Sequence, residues 1–253
     1  MVQQLPGLLS LGTMHYYNPW RRSSAKRLRG KDQSTAMVRL DLHIHTKFSF
    51  DASITAEEIR ERCRELGLSG VAITDHNSFE AARAWAEELS DLKIIPGEEV
   101  RSRHGEIIGL FLREKVPGGL TAEETMARIK EQGGLVCVPH PFDYVKLHRL
   151  SSTDLLRMRD FIDFLEGLNG KPRFGGANDK AMRFAREHSF LMSGGSDAHS
   201  ATHLGRVYTE MPDFSGPQEF MESLKAATLH GDRYSTWSGQ LGRWKARLRR
   251  SAR

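Results

Sequence analysis

Thr55-Ala56-Glu57-Glu58-Ile59-Arg60-Glu61-Arg62-Cys63-Arg64-Glu65-Leu66-Gly67 runs on into Leu68-Ser69-Gly70-Val71-Ala72-Ile73-Thr74-Asp75-His76. Thr55 with Glu58 three residues later forms a capping box, a side chain and a backbone amide satisfying each other at a helix start. Ile59, Cys63 and Leu66 recur at helical spacing, and Gly67 supplies the stop. Val71-Ala72-Ile73 is then a short buried strand ending on Asp75-His76. The same unit returns downstream. Thr121-Ala122-Glu123-Glu124 is a second capping box, Met126 and Ile129 continue the apolar face, and Gly133-Gly134 ends it. Leu135 to Val138 follows as a strand leading to His140. Two helix-then-strand units, each delivering a His at the strand's carboxyl end, predict an α/β protein built as a parallel, TIM-like βα barrel. Such barrels place their active sites at that end.

The neighbouring strand ends are as rich in metal-binding side chains. Asp41-Leu42-His43-Ile44-His45 closes a strand beginning at Val38. Alternate residues of a strand face the same way, so His43 and His45 can face one ion while Leu42 and Ile44 pack behind them. Pro96-Gly97-Glu98-Glu99, Val138-Pro139-His140-Pro141 and Gly195-Ser196-Asp197-Ala198-His199 extend the set. Only one of Glu98 and Glu99 can face the site. Pro139 and Pro141 stiffen the chain around His140, and Gly194-Gly195 permits close backbone approach ahead of Asp197 and His199. Asp75, His76, Asp51 (in Phe48-Ser49-Phe50-Asp51) and Glu166 are further candidate ligands. Imidazole mixed with carboxylate suits zinc, manganese or iron.

Elsewhere the barrel pattern departs from regularity. Ile94–Arg101 and Glu106–Leu112 flank Arg103-His104-Gly105 and predict an antiparallel hairpin. Phe161–Leu168 fits a strand, with a spacing that also allows a helix. Ala177–His188 fits a helix, Leu191–Ser193 and Val207–Met211 fit strands, Pro217–Ala227 fits a helix, and Arg233–Thr236 completes the body.

Charge is divided unevenly. The chain of 253 residues has a net charge of +5. Residues 1–37 hold six basic side chains against one acid, and 239–253 hold six with none, so the body between them is net −6. Basic tails can attract nucleic acid or acidic surfaces; more often they are simply solvated. The organisation expected is a basic, disordered extension over 1–36, a catalytic domain over 37–238 and a basic tail over 239–253. Met37 is a candidate natural start. No run reaches the ~20 apolar residues of a membrane span. Cys63 and Cys137 sit in apolar patterns without Cys-x-x-Cys spacing and read as reduced core residues of a cytoplasmic protein.

The ordered set His-x-His, Asp-His, Gly-x-Glu, Pro-His and Ser-Asp-Ala-His resembles the PHP domain, the polymerase and histidinol phosphatase superfamily, over roughly Val38 to Thr236. The resemblance implies a distorted seven-stranded βα barrel and a metal-dependent phosphoesterase with two or three divalent ions. It implies that His43, His45, Glu99 and Asp197 hold a first metal, that Glu99 bridges to a second with His140, and that Glu166 stands where a further ligand often lies. His76 and His199 would hold a third metal or contact the phosphate. Asp51 replaces the His common in trinuclear members. The implied reaction is hydrolysis of a small phosphate monoester, a metabolite or nucleotide, by a metal-bridging hydroxide. His199, His76, Asp51 and Arg173, or Lys47 in place of Arg173, would assist catalysis. Alternatives are a 5′-to-3′ exonuclease, whose nucleic acid the basic tails would engage, and a non-catalytic metal-binding module. Amidohydrolases also open on His-x-His, but they bridge their metals with a modified Lys where this chain has Glu99.

Overall fold

The computed structural model describes residues 36–144, 149–171 and 176–231. The chain alternates β1 (Met37–Ile44), α1 (Ala56–Leu66), β2 (Gly70–Ile73), α2 (Glu80–Glu88), β3 (Lys93–Arg101), β4 (Glu106–Leu110), α3 (Ala122–Glu131) and β5 (Leu135–Val138). It continues through α4 (Ser152–Arg157), β6 (Phe164–Asn169), α5 (Ala177–Glu187), β7 (Leu191–Gly195), β8 (Val207–Pro212), α6 (Pro217–Lys225) and β9 (Thr228–Gly231). The strands form one sheet in the order β7-β6-β5-β4-β3-β2-β1-β8-β9.

Local chemistry explains the helix ends. In α1 the Thr55 hydroxyl accepts from the Glu58 amide at 3.3 Å, and the Glu58 carboxylate accepts from the Thr55 amide at 2.9 Å. Gly67 then ends α1 in the left-handed region at φ 65°, where a side chain would be strained. Thr121 and Glu124 repeat the box on α3. A third box, Ser151 with Asp154, caps α4. Neither that box nor α2 stood out in the sequence pattern.

The sheet is mixed. β1–β2–β3 run parallel, β3–β4 and β4–β5 antiparallel, and β5–β6–β7 parallel again. The predicted hairpin is therefore β3–β4, and it reverses one strand between the two parallel runs. Phe164–Asn169 is strand, resolving the ambiguity of that segment. The two ends of the sheet nearly meet. The His45 amide donates to Ala198 O and the Asp197 amide to His43 O, each at 2.8 Å, so the chain leaving β7 lies against the end of β1. The result is a near-closed mixed barrel of nine strands, where the family resemblance implies seven. β8 pairs antiparallel with the first half of β1, and β9 pairs with β8. The last of these strands is Thr228–Gly231; Arg233–Thr236 lies outside the described residues.

Helices pack on the outer face through Ile59, Cys63, Trp85, Met126, Ile129, Phe184 and Ala185, all buried. At the amino end of the parallel strands, Phe220 of α6 is fully buried, with ring centroids 5.1–5.7 Å from Phe111, Phe164 and Phe214. This aromatic plug fills one end of the barrel. The other end carries the ionisable side chains. No helix among the described residues is long and apolar enough to cross a membrane.

Candidate metal centre

The carboxyl ends of β1, β3, β5 and β7 bring His43, His45, Glu99, His140 and Asp197 into one buried cluster. Strand alternation turns His43 and His45 inward together, and their Nε2 atoms lie 3.1 Å apart. Asp197 Oδ1 is 3.7 Å from His43 Nε2 and 3.3 Å from His45 Nε2. Glu99 stands at the centre. Its Oε1 lies 3.0 Å from His140 Nε2 and 3.7 Å from His43 Nε2, and its Oε2 lies 3.5 Å from His45 Nε2 and 2.9 Å from His76 Nδ1. His140 and Asp197 adopt φ of 30° and 51°. Left-handed backbone in non-glycine residues costs of order 1–3 kcal/mol and collects at functional sites.

A second group faces the first. His76, from the loop after β2, and His199, two residues past Asp197, each place a ring centroid 4.2 Å from that of His45 and lie 5.8 Å from one another. Asp51 Oδ2 reaches His199 Nε2 at 3.2 Å and His76 Nε2 at 3.8 Å.

Two expected ligands are placed differently. Asp75 is fully buried, but its oxygens accept from the Thr46 amide (2.6 Å), the Thr46 hydroxyl (2.7 Å) and the Ser49 hydroxyl (2.7 Å). It clamps the loop after β1 and stands in none of the groups able to hold an ion. Glu166 also lies behind the cluster. Its Oε1 takes His43 Nδ1 at 3.0 Å, and its Oε2 accepts from the His140 amide at 2.7 Å and Asn169 Nδ2 at 2.9 Å. A carboxylate on the far nitrogen of a ligating His fixes its tautomer and ring orientation. Glu98 points away from Glu99, its Oε2 accepting from the Val116 amide; burial pushes its carboxyl up to about 7. Arg173 lies outside the described residues. Lys47 is turned towards Phe48 and Trp85, 5.8 Å from each ring centroid.

Two further side chains belong to the site. Glu106, the first residue of β4, pairs in register with Arg101 and so returns to the carboxyl end of β3, with Oε2 3.7 Å from His140 Nε2. It groups with His76 and Glu99. Lys171, just after β6, places Nζ 3.0 Å from His199 Nε2 and 3.7 Å from Asp197 Oδ1. Asp41 supports the frame. Its carboxylate accepts from the Ser196 and Gly205 amides at 2.8 Å each, tying the chain after β7 to β1, and burial pushes its carboxyl up to about 6.

The electrostatics are those of a site built for cations. Burial opposes a charge on His43, yet the carboxylates of Glu166, Asp197 and Glu99 outweigh it and hold its pKa well above the ordinary value. Burial pushes His45 down to about 3. Burial likewise opposes ionisation of Glu99 and Asp197, but the charge of His43 with its neighbouring imidazoles holds both well below the usual carboxylate range. Burial and the adjacent Lys171 lower His199, whereas Glu99 and Asp51 outweigh burial and raise His76. Asp197 Oδ1 and Glu99 Oε2 are nonetheless buried without a well-aligned hydrogen bond. Two buried anionic oxygens aimed at imidazole nitrogens fit divalent ions, because an unpaired buried charge is costly.

A βα-type barrel with a buried His/Asp/Glu cluster at its carboxyl end defines a metal-dependent hydrolase class. Residues 175–229 match the PHP-associated family model. An uncharacterized protein of Methanocaldococcus jannaschii, MJ0417, is 34% identical over 203 residues, 76% of this chain and 81% of that one. The fold is shared with a two-domain Bacteroides vulgatus protein containing a predicted PHP-like metal-dependent phosphoesterase (TM-score 0.63, 18% identity, 78% of this chain and 65% of that one). It is shared too with a lesion-specific endonuclease, EndoQ, of Pyrococcus furiosus (TM-score 0.57, 24% identity, 77% and 58%). The chain belongs to the PHP superfamily of metal-dependent phosphoesterases.

Proposed function

We propose that the protein hydrolyses a small phosphate monoester at a centre of two or three divalent ions. The observation that carries this reading is the pair of buried oxygens, Glu99 Oε2 and Asp197 Oδ1, that lack a well-aligned hydrogen bond yet converge with the imidazoles of His43, His45, His76, His140 and His199. His43, His45, Glu99 and Asp197 would hold one ion. Glu99, with His140 and Glu106, would hold a second, and Asp51, His76 and His199 a third. Bound ions would supply a water acidified to near neutrality and a clamp on the attacking and leaving oxygens.

The chain's own groups do the remaining work. Glu166 orients His43, Asp41 fixes the segment carrying Asp197, and Asp75 fixes the loop carrying Asp51. Lys171 offers a positive charge at the open side of the cluster, where charge on the transferring phosphoryl oxygens needs support. Burial and Lys171 keep His199 neutral, so it can accept or relay a proton. The net −6 body favours a small substrate over a nucleic acid strand, because strand binding relies on basic contacts that neutralise many phosphates. In this reading the catalytic domain spans residues 37–238, which hold every site residue named above, and the free cysteines Cys63 and Cys137 fit the cytoplasm.

The test is turnover of an aryl phosphate monoester and diester by protein reconstituted with manganese or zinc, with a His43→Ala/Asp197→Ala double variant as the blank. Metal-dependent monoester hydrolysis lost in the variant is expected. Preference for the diester and for oligonucleotide ends would favour the exonuclease. Stoichiometric metal without turnover of either ester or of nucleotides would favour a non-catalytic module.

A further inference from the structure

Phe50 is the most exposed large apolar side chain among those described, at 87% of its full surface. Single exposed apolar residues are ordinary, but this one is held in place at the edge of the metal centre. Its ring lies 5.6 Å from the His76 ring at an interplanar angle of 29°, a stacked arrangement. Its neighbours on both sides are anchored. The Ser49 hydroxyl donates to Asp75 at 2.7 Å and accepts from the His76 amide at 3.0 Å. Asp51 reaches into the cluster, and the Ser53 amide donates to His199 O at 3.1 Å. Phe48 turns the opposite way and packs edge-on against Trp85, 5.6 Å between centroids. The loop thus packs one aromatic against Trp85, still 37% exposed, and presents the other beside the imidazoles with most of its surface open.

We infer that Phe50 is a specificity-determining platform for a flat aromatic ring on the substrate, and that the phosphate ester hydrolysed here carries a nucleobase. This rests on the phosphomonoesterase reading above. A rigid, preorganised ring gives up little entropy on binding, and every base has a π-face that can stack on it without sequence readout. An aliphatic phosphate would reach the metals and leave Phe50 untouched.

The experiment compares adenosine monophosphate with glycerol phosphate on metal-reconstituted wild type, Phe50→Ala and Phe50→Tyr, by kcat/KM and by calorimetric binding. The expected result is a fall of roughly tenfold for the nucleotide in Phe50→Ala, carried by KM, with glycerol phosphate unchanged and Phe50→Tyr restoring the loss. Metal stoichiometry should be equal in all three, which separates a lost platform from a disturbed His76. Equal loss on both substrates, or no loss on the nucleotide, overturns the inference. Absence of turnover on either substrate by wild type would overturn the hydrolase reading instead. The binding arm then still decides whether Phe50 selects the base.

Discussion

At the scale of single residues, the site separates groups that would touch a metal from groups that hold them in place, and the two kinds respond differently to substitution. Asp75 follows a strand and precedes a His, so the sequence pattern makes it look like a ligand. Its three short hydrogen bonds to Thr46 and Ser49 make it a clamp. Asp75→Ala should therefore destabilise the metal-free protein by ~2–4 kcal/mol, since it strands an amide and two hydroxyls. Urea unfolding in the presence of a chelator measures this; unchanged apo stability would return Asp75 to the ligand set. Glu166→Gln keeps an oxygen but weakens the hold on His43 Nδ1. It should lower metal affinity ~10–100-fold, read by competition with a chromophoric chelator, whereas Glu99→Gln should abolish tight binding. The proton on His43 gives a third outcome. Its pKa is raised in the metal-free protein, so it is protonated near neutral pH and must lose that proton to ligate. Metal affinity should rise with pH, and binding heats should become more exothermic in a buffer of high ionisation enthalpy. Heats independent of buffer would mean the imidazole was already neutral.

At the scale of elements, the capping boxes and stop glycines made α1 and α3 readable, because their chemistry is local and each signal lies within three or four residues of its effect. Thr55→Ala should accordingly cost only about 1 kcal/mol and leave metal stoichiometry intact. What depends on register was not readable. Glu106 reaches the cluster only because β4 turns back antiparallel on β3 with Glu106 opposite Arg101, and Lys171 only because β6 ends beside β7. Glu166 and Asp75 read as candidate ligands in the sequence, because which side of the imidazoles they occupy is a matter of tertiary packing. The α4 box went unread because it uses Ser and Asp, and β9 because it is short and half exposed. Gly195 shows how sharply register matters. A Cβ there would sit 2.4 Å from His43 Cβ and 2.7 Å from His43 N. Gly195→Ala should force β7 away from β1, costing about 1–3 kcal/mol and most of the metal. A Gly195→Ala protein that melts and binds metal like wild type would show the two strands to be further apart.

At the scale of the whole molecule, the metal centre and the barrel closure are the same structure. The sheet runs continuously from β7 to β9 with parallel ladders on both arms, and β7 closes onto β1 and β8 through the His45–Ala198 and Asp197–His43 amide bonds, the Ser196 amide on Asp41, and the Thr209 hydroxyl, which accepts from the Gly194 amide and donates to its carbonyl. The residues on either side of that seam, His43 and His45 on β1 and Asp197 after β7, are the ones whose charges crowd together. Without a cation, the seam brings buried carboxylates and imidazoles together with the proton of His43 as their main compensation. With cations, the attraction acts directly across the seam. Anything that binds only the folded state stabilises it in proportion to its occupancy, and here the gain should be concentrated where the ligands lie on opposite ends of the sheet. Metal removal should therefore speed amide hydrogen exchange at His45 and Asp197. The amides of Val71 and Ile73, buried in β2 on the far side of β1 and outside the cluster, should keep their protection, because local opening and global unfolding have different free energies. Uniform loss of protection across β1–β3 would instead mean that the ions hold the entire barrel. No change at the seam would mean that its amide bonds, Asp41 and Thr209 close it unaided.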